Sequence, residues 1–471
     1  MLRIVWRSSP SEPIQDYALC TVTYGTTSAP FLANRVLRHL AQTEQQKHPL
    51  GAQILLERSY VDDIHGGGSD LPSAMLARND IIALLQSAGL KLRKWASNDQ
   101  RVLAGIPAEH CLPLTQSVDL RVDTEKPLKM LGIAWNPQSD SFFFKIPTTP
   151  LVRTKRELAS QVGRIYDPCG WIMPTSVFAR CIQREVCHAK YDWDDPLPSS
   201  LAYDWQKLAS SINVLSELCL PRHINSSNLD QWLVGFSDAS EKAYAAVVYH
   251  VTRSGDQITT RLVLSRARIA PLKLESIPRL ELLAAELLGK TVKKVRAQFP
   301  LVPDERVIAC SDSSIVLSWL TADPAPLWKV FVGNRVAKTL SNLPPSRWFH
   351  VSSKDNPADI ASWGALPDQL VHNSMWWDGP TWLSLGRPHW PIRRIRPDLT
   401  QESVNKEVRA NQPISSASSM SEDIEDKFSS FIRLKRVTAW VLFRNVQFVQ
   451  SLETGPELIC HWLNCLGMCN P

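Results

Sequence analysis

The ten cysteines of this 471-residue chain include no CxxC pair, and no apolar run approaches the ~20 residues that a membrane helix needs. Glycine is sparse beside proline, 19 residues against 33, and no internal repeat occurs. Each absence excludes something. Cysteines scattered singly (Cys20, Cys111, Cys169, Cys181, Cys187, Cys219, Cys310) argue for buried thiols in a reducing interior, not for a disulfide framework. Without a long apolar run there is no spanning helix, and MLRIVWRSSP is too short and too charged for a signal peptide. The chain reads as intracellular, cytoplasmic or nuclear, not secreted, with no membrane partner. Neither charge sign dominates: 52 basic against 46 acidic residues leave +6, which permits a polyanionic partner without establishing one. What is present is globular composition, 44% hydrophobic and 21% charged, with length for about two to four domains.

Periodicity divides the chain into short elements. Ile4–Trp6 and Ala18–Tyr24 read as strand material, Pro30–Gln42 as a helix and Ile54–Tyr60 as another strand. That strand runs into Tyr60-Val61-Asp62-Asp63, then Ile64-His65 and the triple glycine Gly66–Gly68, a pattern that predicts a hairpin with both carboxylates at its tip. Helical spacing covers Met75–Ala88, with Gly89 as its stop, and later Thr154–Ile165, Val177–His188 and Leu201–Leu218. Met130–Trp135 and Phe142–Ile146 read as a strand pair. Thr400–Asp426 is polar enough to predict a disordered linker, and Phe428–Val449 recovers helical spacing.

The chemistry starts at Gln231–Asp238, QWLVGFSD, where an apolar run delivers Asp238 at its end. Ala243–His250 and Ile258–Leu264 complete a meander. Glu281 lies in the helical stretch Pro278–Lys290, and Asp312 follows the strand Arg306–Cys310, with Ser313 capping Ser314–Leu320. Asp359 follows the strand Arg347–Ser352 and opens a short helix. The order is β-β-β-α-β-α-α-β-α. Taken singly, each acid is as readily a turn or cap residue. In this order they meet at one sheet rim, where four hard oxygen ligands would hold two Mg²⁺ or Mn²⁺ ions about 4 Å apart for phosphodiester hydrolysis. Asp62 and Asp63, taken alone, are explained more simply as an Asp-rich turn. Lys91, Arg93 and Lys94 beside Trp95, and Lys293, Lys294 and Arg296, are phosphate-contact candidates, or else a solvated basic helix face. The tryptophans at 376–390 read as packing.

These motifs resemble the polyprotein of BEL/Pao-type LTR retrotransposons. Val22-Thr23-Tyr24-Gly25 with Ser28-Ala29-Pro30-Phe31 resembles the substrate-binding motif of a reverse transcriptase palm. Tyr60–Asp63 resembles its catalytic box, and Leu90–Asn98 the primer-side segment after it. Ile165–Gly170 resembles the connection region. Ser237–Ser240, Ile277–Leu282, Ser311–Ser313 and Asn356–Asp359 resemble the ribonuclease H core. Trp376–Pro380 resembles the spacer before the integrase, and Arg436–Trp440 the opening of the region that leads to it.

The resemblance implies an α/β protein. A partial reverse transcriptase palm (α+β) would occupy 1–100, a thumb and connection region 101–228, and a ribonuclease H-like mixed five-stranded sheet with flanking helices 229–366. A Trp-rich spacer (367–399), a linker (400–427) and a helical pre-integrase start (428–471) would follow. It implies Asp62 and Asp63 as palm metal ligands, with Tyr60 and Gly25 near the nucleotide. Asp238, Glu281, Asp312 and Asp359 become the two-ion set acting on RNA–DNA hybrid or template-primer. Other polyprotein parts, or a second copy, are further partners. A palm also needs a third carboxylate upstream; the chain begins shortly before Gly25, and Glu12 and Asp16 have a loop-like context. No useful polymerase activity is expected from this chain alone. Cys460-His461 with Cys465 and Cys469 is too crowded for a usual zinc site, so no zinc is expected. The rival readings are a catalytically silent nucleic-acid-binding relic, or a polymerase that borrows its missing half from another chain.

Overall fold

A computed structural model describes residues 2–409, apart from 24, 61, 62, 113–128, 131, 132, 145, 147–150, 225–229, 274 and 324–327. Of Lys129 and Met130 it describes the backbone only. These residues belong to one unit, Met1–Arg409; Ala410–Pro471 is a second. The expected helix Phe428–Val449, the motif Arg436–Trp440 and the Cys460–Cys469 cluster lie outside the described residues.

At the start, β1 (Arg3–Trp6) and β2 (Gln15–Ala18) pair antiparallel, and every residue of both strands is exposed. The second strand falls earlier than Ala18–Tyr24. Asp16, expected in a loop, lies in β2 and pairs with Arg3 at 2.8 Å. Three helices follow: α1 (Ala29–Glu44), α2 (Pro49–Glu57) and, after a hairpin, α3 (Leu71–Ser87). They pack around Ala41, Ala52, Ile54, Leu55, Ala77, Ile81, Leu84 and Leu85. Most of the expected strand Ile54–Tyr60 is therefore helix. A short apolar run suits a buried helix as well as a strand. Pro49 presets the first turn, and the Gly51 N–H donates to Asp80 of α3 at 2.8 Å. Only β3 (Ser59–Tyr60) is extended, and it pairs with β4 (Asp63–Ile64) as the predicted hairpin, but Asp63, expected at the tip, is in the strand opposite Tyr60. α3 stops where expected. Gly89 takes φ +71°, its N–H donates to the Gln86 carbonyl, and the Leu90 N–H donates to that of Leu85.

A small sheet, in the order β5 (Lys129–Met130), β6 (Ile133–Asn136), β7 (Ser141–Phe143) and β8 (Cys219–Pro221), includes the expected pair. Asp140, in the turn between β6 and β7, binds Arg222 through both carboxylate oxygens at 2.6 and 2.8 Å. That pair ties the later strand β8 to the sheet. Between them run α4 (Lys155–Arg164), capped by Thr154, α5 (Met173–His188) and α6 (Ser199–Ser211).

The main sheet has the order β11-β10-β9-β12-β13. β9 (Gln231–Ala239), β10 (Ala243–Ser254) and β11 (Gln257–Ile269) form the antiparallel meander. β12 (Val307–Ser311) and β13 (Trp348–His350) add in parallel beside β9. The helices between them are α7 (Ile277–Arg296), α8 (Ser314–Thr321) and α9 (Val330–Leu340), and α10 (Ala358–Trp363) follows β13. Both faces of the sheet are covered, so β9 and β10 read as continuous apolar runs. Alternate residues separate the faces. Val247 and Tyr249 join Phe236, Val177, Ile182, Trp205, Trp376 and Trp382, whereas Ala246 and Val248 join Leu288, Val292, Trp319 and Trp348. The first core runs from Phe144 to Ile392, so α4 to α6 and the tryptophan stretch share one interior with the sheet. α11 (Pro367–Val371) and α12 (Ser374–Asp378) seat Trp376, whose Nε1–H donates to the Trp171 carbonyl at 2.7 Å.

The beginning of the expected linker is ordered. α13 (Glu402–Asn405) buries Val404, and Glu407 pairs with Arg279 of α7 at 2.8 Å. One well-placed valine and one ion pair dock a segment whose composition alone reads as solvated; 410–426 lies outside the described residues.

Candidate active site

Asp238 stands next to the end of β9, Asp312 directly after β12, Asp359 in the first turn of α10 and Glu281 in the second turn of α7. The register explains why they approach one another. Ser237 of β9, Ser311 of β12 and His350 of β13 form one row across the three strands, so Asp238 and Asp312 each stand one residue beyond it. Parallel β12 and β9 end at the same rim, and α7 and α10 bring Glu281 and Asp359 to it.

Three of the four carboxyls are raised at this rim. Burial pushes the Asp238 carboxyl up to about 7, with the charges of Asp312, Asp359 and Glu281 adding to it and the Ser362 hydroxyl opposing. Glu281 and Asp359 are also raised, by burial first and then by Asp312, with hydrogen bonds from Ser313 and Trp363 respectively opposing. Polar neighbours orient three of the acids. Ser362 Oγ lies 2.6 Å from Asp238 Oδ2, Ser313 Oγ lies 2.5 Å from Glu281 Oε2, and Asn356 Nδ2 donates to Asp312 Oδ1 at 3.2 Å. Buried Asn356 also donates to the Ser237 carbonyl at 3.1 Å and accepts from the Ala358 N–H, so it locks the last loop onto β9.

The charge of Asp312 adds to the raised carboxyls of Asp238, Glu281 and Asp359, and hard oxygen donors under such repulsion suit divalent cations, which remove it. By this test the residues fit Mg²⁺ or Mn²⁺. Among the described residues no three His, Cys, Asp or Glu form a ready-made metal site, so the fit is one of donor chemistry.

The other expected residues lie elsewhere. Tyr60 and Asp63 are exposed in the β3–β4 hairpin, and Asp62 lies outside the described residues. Gly25 takes φ +84° in the turn before α1. Lys91, Arg93 and Lys94 are exposed but not on a helix, Lys94 having φ +59°. Trp95 and Ile64 pack on the three-helix core. Lys293 and Lys294 are exposed in the last turn of α7. Trp376, Trp382 and Trp390 are buried, as expected of packing. Sequence reasoning missed Asn356 and Ser362. Asn356 stands within a quoted motif, and Ser362 lies three residues after Asp359, one helical turn on.

Comparison with known proteins gives one family match. Residues 154–313 match the family described as Pao retrotransposon-like RNaseH-like domain. That stretch begins at the cap of α4 and contains Asp238, Glu281 and Asp312. No curated protein matches the chain. Among solved structures, a foamy viral protease-reverse transcriptase dRH in complex with double-stranded DNA is 15% identical with a TM-score of 0.38, covering 69% of this chain and 49% of that one. The foamy viral protease-reverse transcriptase with double-stranded DNA is 16% identical with a TM-score of 0.19, covering 70% and 60%. The chain thus spans less than two thirds of either. On that match, residues 154–313, about a third of the chain, are similar to the Pao retrotransposon-like RNaseH-like domain.

Proposed function

We propose that this protein hydrolyses the RNA strand of an RNA–DNA hybrid with two divalent cations held by Asp238, Glu281, Asp312 and Asp359. The observation that carries the reading is the pooled charge at the rim: four acids from four elements, with the Asp238 carboxyl pushed up to about 7. The chemistry two such ions supply when bound is activation of a water and stabilisation of the leaving oxygen. The chain's own residues prepare that chemistry. Ser362, Ser313 and Asn356 each hold one oxygen of an acid and leave the other available. A carboxyl near 7 loses its proton readily at neutral pH once a cation offsets the neighbouring charges. The hybrid is expected to be read by groove shape and 2′-hydroxyls rather than by base sequence.

The test uses the full chain with labelled RNA in a hybrid, Mg²⁺ or Mn²⁺, and Asp312→Asn beside it. Cleavage that needs the ion and disappears in the variant supports the reading. No cleavage from folded protein leaves the second reading, a catalytically silent nucleic-acid-binding protein, which the lack of a ready-made metal site among the described residues favours. For the N-terminal part, we infer a polymerase-like palm segment that carries Asp62 and Asp63 as its catalytic box.

A further inference from the structure

The segment Pro391–Pro397, PIRRIRP, runs along β13, the edge strand of the main sheet. Arg393 and His350 exchange backbone hydrogen bonds at 2.7 and 3.1 Å in an antiparallel bridge. Ile392 is buried in the core on one face, and Ile395 packs against the core on the other. The two isoleucines thus clamp the strap over the sheet edge, and Arg393, Arg394 and Arg396 are left exposed. Among the described residues none of the three forms an ion pair. Arg394 Nη2 donates to the Ser346 carbonyl at 2.9 Å, and its guanidinium stacks over Phe349 at 5.5 Å. Elsewhere in the chain Arg3, Arg101, Arg156, Arg222, Arg279, Arg296 and Arg306 all have acids beside them. Lys354, also exposed, lies between β13 and Asp359.

We propose that this arginine strap is a phosphate-contacting surface that holds a nucleic-acid strand beside the acidic rim, an inference that rests on reading the rim as a nucleic-acid site. Position argues for it. Arg393 pairs with His350, and His350 shares its row with Ser311, the residue before Asp312. Strands lie about 4.8 Å apart, which puts the strap two spacings, about 10 Å, from the end of β12. Phosphates along one strand rise about 3.4 Å each, so the strap at Arg393 falls about three nucleotides from the end of β12, next to Asp312. Chemistry argues for it too. Covering an open edge calls only for charge or a bulky cap, whereas all three side chains here are guanidinium groups with free donors. The nearby acid Asp398 is already engaged, accepting from Thr400.

The experiment measures binding of a short RNA–DNA hybrid by the full chain carrying Asp312→Asn, which keeps the hybrid intact, over a range of salt concentrations. Arg393→Gln with Arg396→Gln is compared with Arg164→Gln plus Lys338→Gln, equal charge loss on α4 and α9. The strap pair should lower the slope of log affinity against log salt by about 1–2, near 0.9 per lost duplex contact. The control pair should leave it nearly unchanged. Equal slopes for the two pairs, or no measurable binding by the parent, overturn the proposal. Unchanged thermal midpoints exclude misfolding as the cause. Cleavage by wild type with an unaffected strap pair would sink the strap and spare the nuclease; the reverse result would do the opposite.

Discussion

Replacing Asp312 by Asn should make the ion-free protein more stable at alkaline pH while abolishing cleavage. The amide keeps the oxygen that accepts from Asn356 Nδ2, so what is lost is a charge and not a contact. That charge helps to raise the carboxyls of Asp238, Glu281 and Asp359. Burial remains the larger cause for each. Asp238, ordinarily at 3.8, stands at about 7. A carboxyl whose folded value lies above its unfolded value stabilises the fold through its protonated form. That contribution is complete below 3.8 and is lost as pH rises through about 7. Wild type in chelator should therefore lose stability as pH rises from about 4 to about 8, and the variant should lose less. One pKa unit is about 1.4 kcal/mol. Relieving one of three like charges is thus worth about 1 kcal/mol at alkaline pH, about 1 °C in midpoint for a unit of this size. Adding Mg²⁺ at about a hundred times its dissociation constant should return about 2.7 kcal/mol to wild type and much less to the variant. The assay is thermal unfolding at both pH values with and without the ion. A variant less stable than wild type in chelator at the higher pH would refute the reasoning, because Asp312 would then be supporting the fold.

Ser362→Ala removes the hydroxyl that holds the Asp238 carboxyl down, so the acid limb of the pH–rate profile should move to higher pH while the alkaline limb stays. An unmoved limb would show that Asp238 does not control it. Gly170 has φ +70° and its N–H donates to the Asp167 carbonyl, while the N–H of Ser265 on β11 donates to the Cys169 carbonyl. A Cβ at residue 170 would stand 2.1 Å from the Ser265 carbonyl oxygen. Gly170→Ala should cost about 2–4 kcal/mol, summing left-handed strain and overpacking. Gly163→Ala in α4, where nothing stands within 4 Å, should gain up to about 1 kcal/mol. Urea unfolding midpoints moving in the same direction for both would contradict the structure.

Much of the fold was legible in the sequence. Alternation and turn residues placed the meander, and apolar spacing placed α1, α3, α4 and α7, because those signals are local and set by the period of each element. The four acids were legible for the same reason: each follows a strand or lies near the start of a helix. The errors arose where burial decided. Ile54–Leu56 could pack as strand or helix until α1 and α3 enclosed it, and Glu402–Glu407 looked solvated until α7 and α8 offered it a seat. Composition, spacing and motif residues thus determined the α/β class, the meander and the candidate acids. Only the tertiary structure decided that α4 to α6 share a core with the sheet, that Asn356 and Ser362 orient the acids, and that an arginine strap closes the sheet edge beside them. Those relations join residues 40 to 200 positions apart, and chain-distant contact leaves no periodic trace in a single sequence.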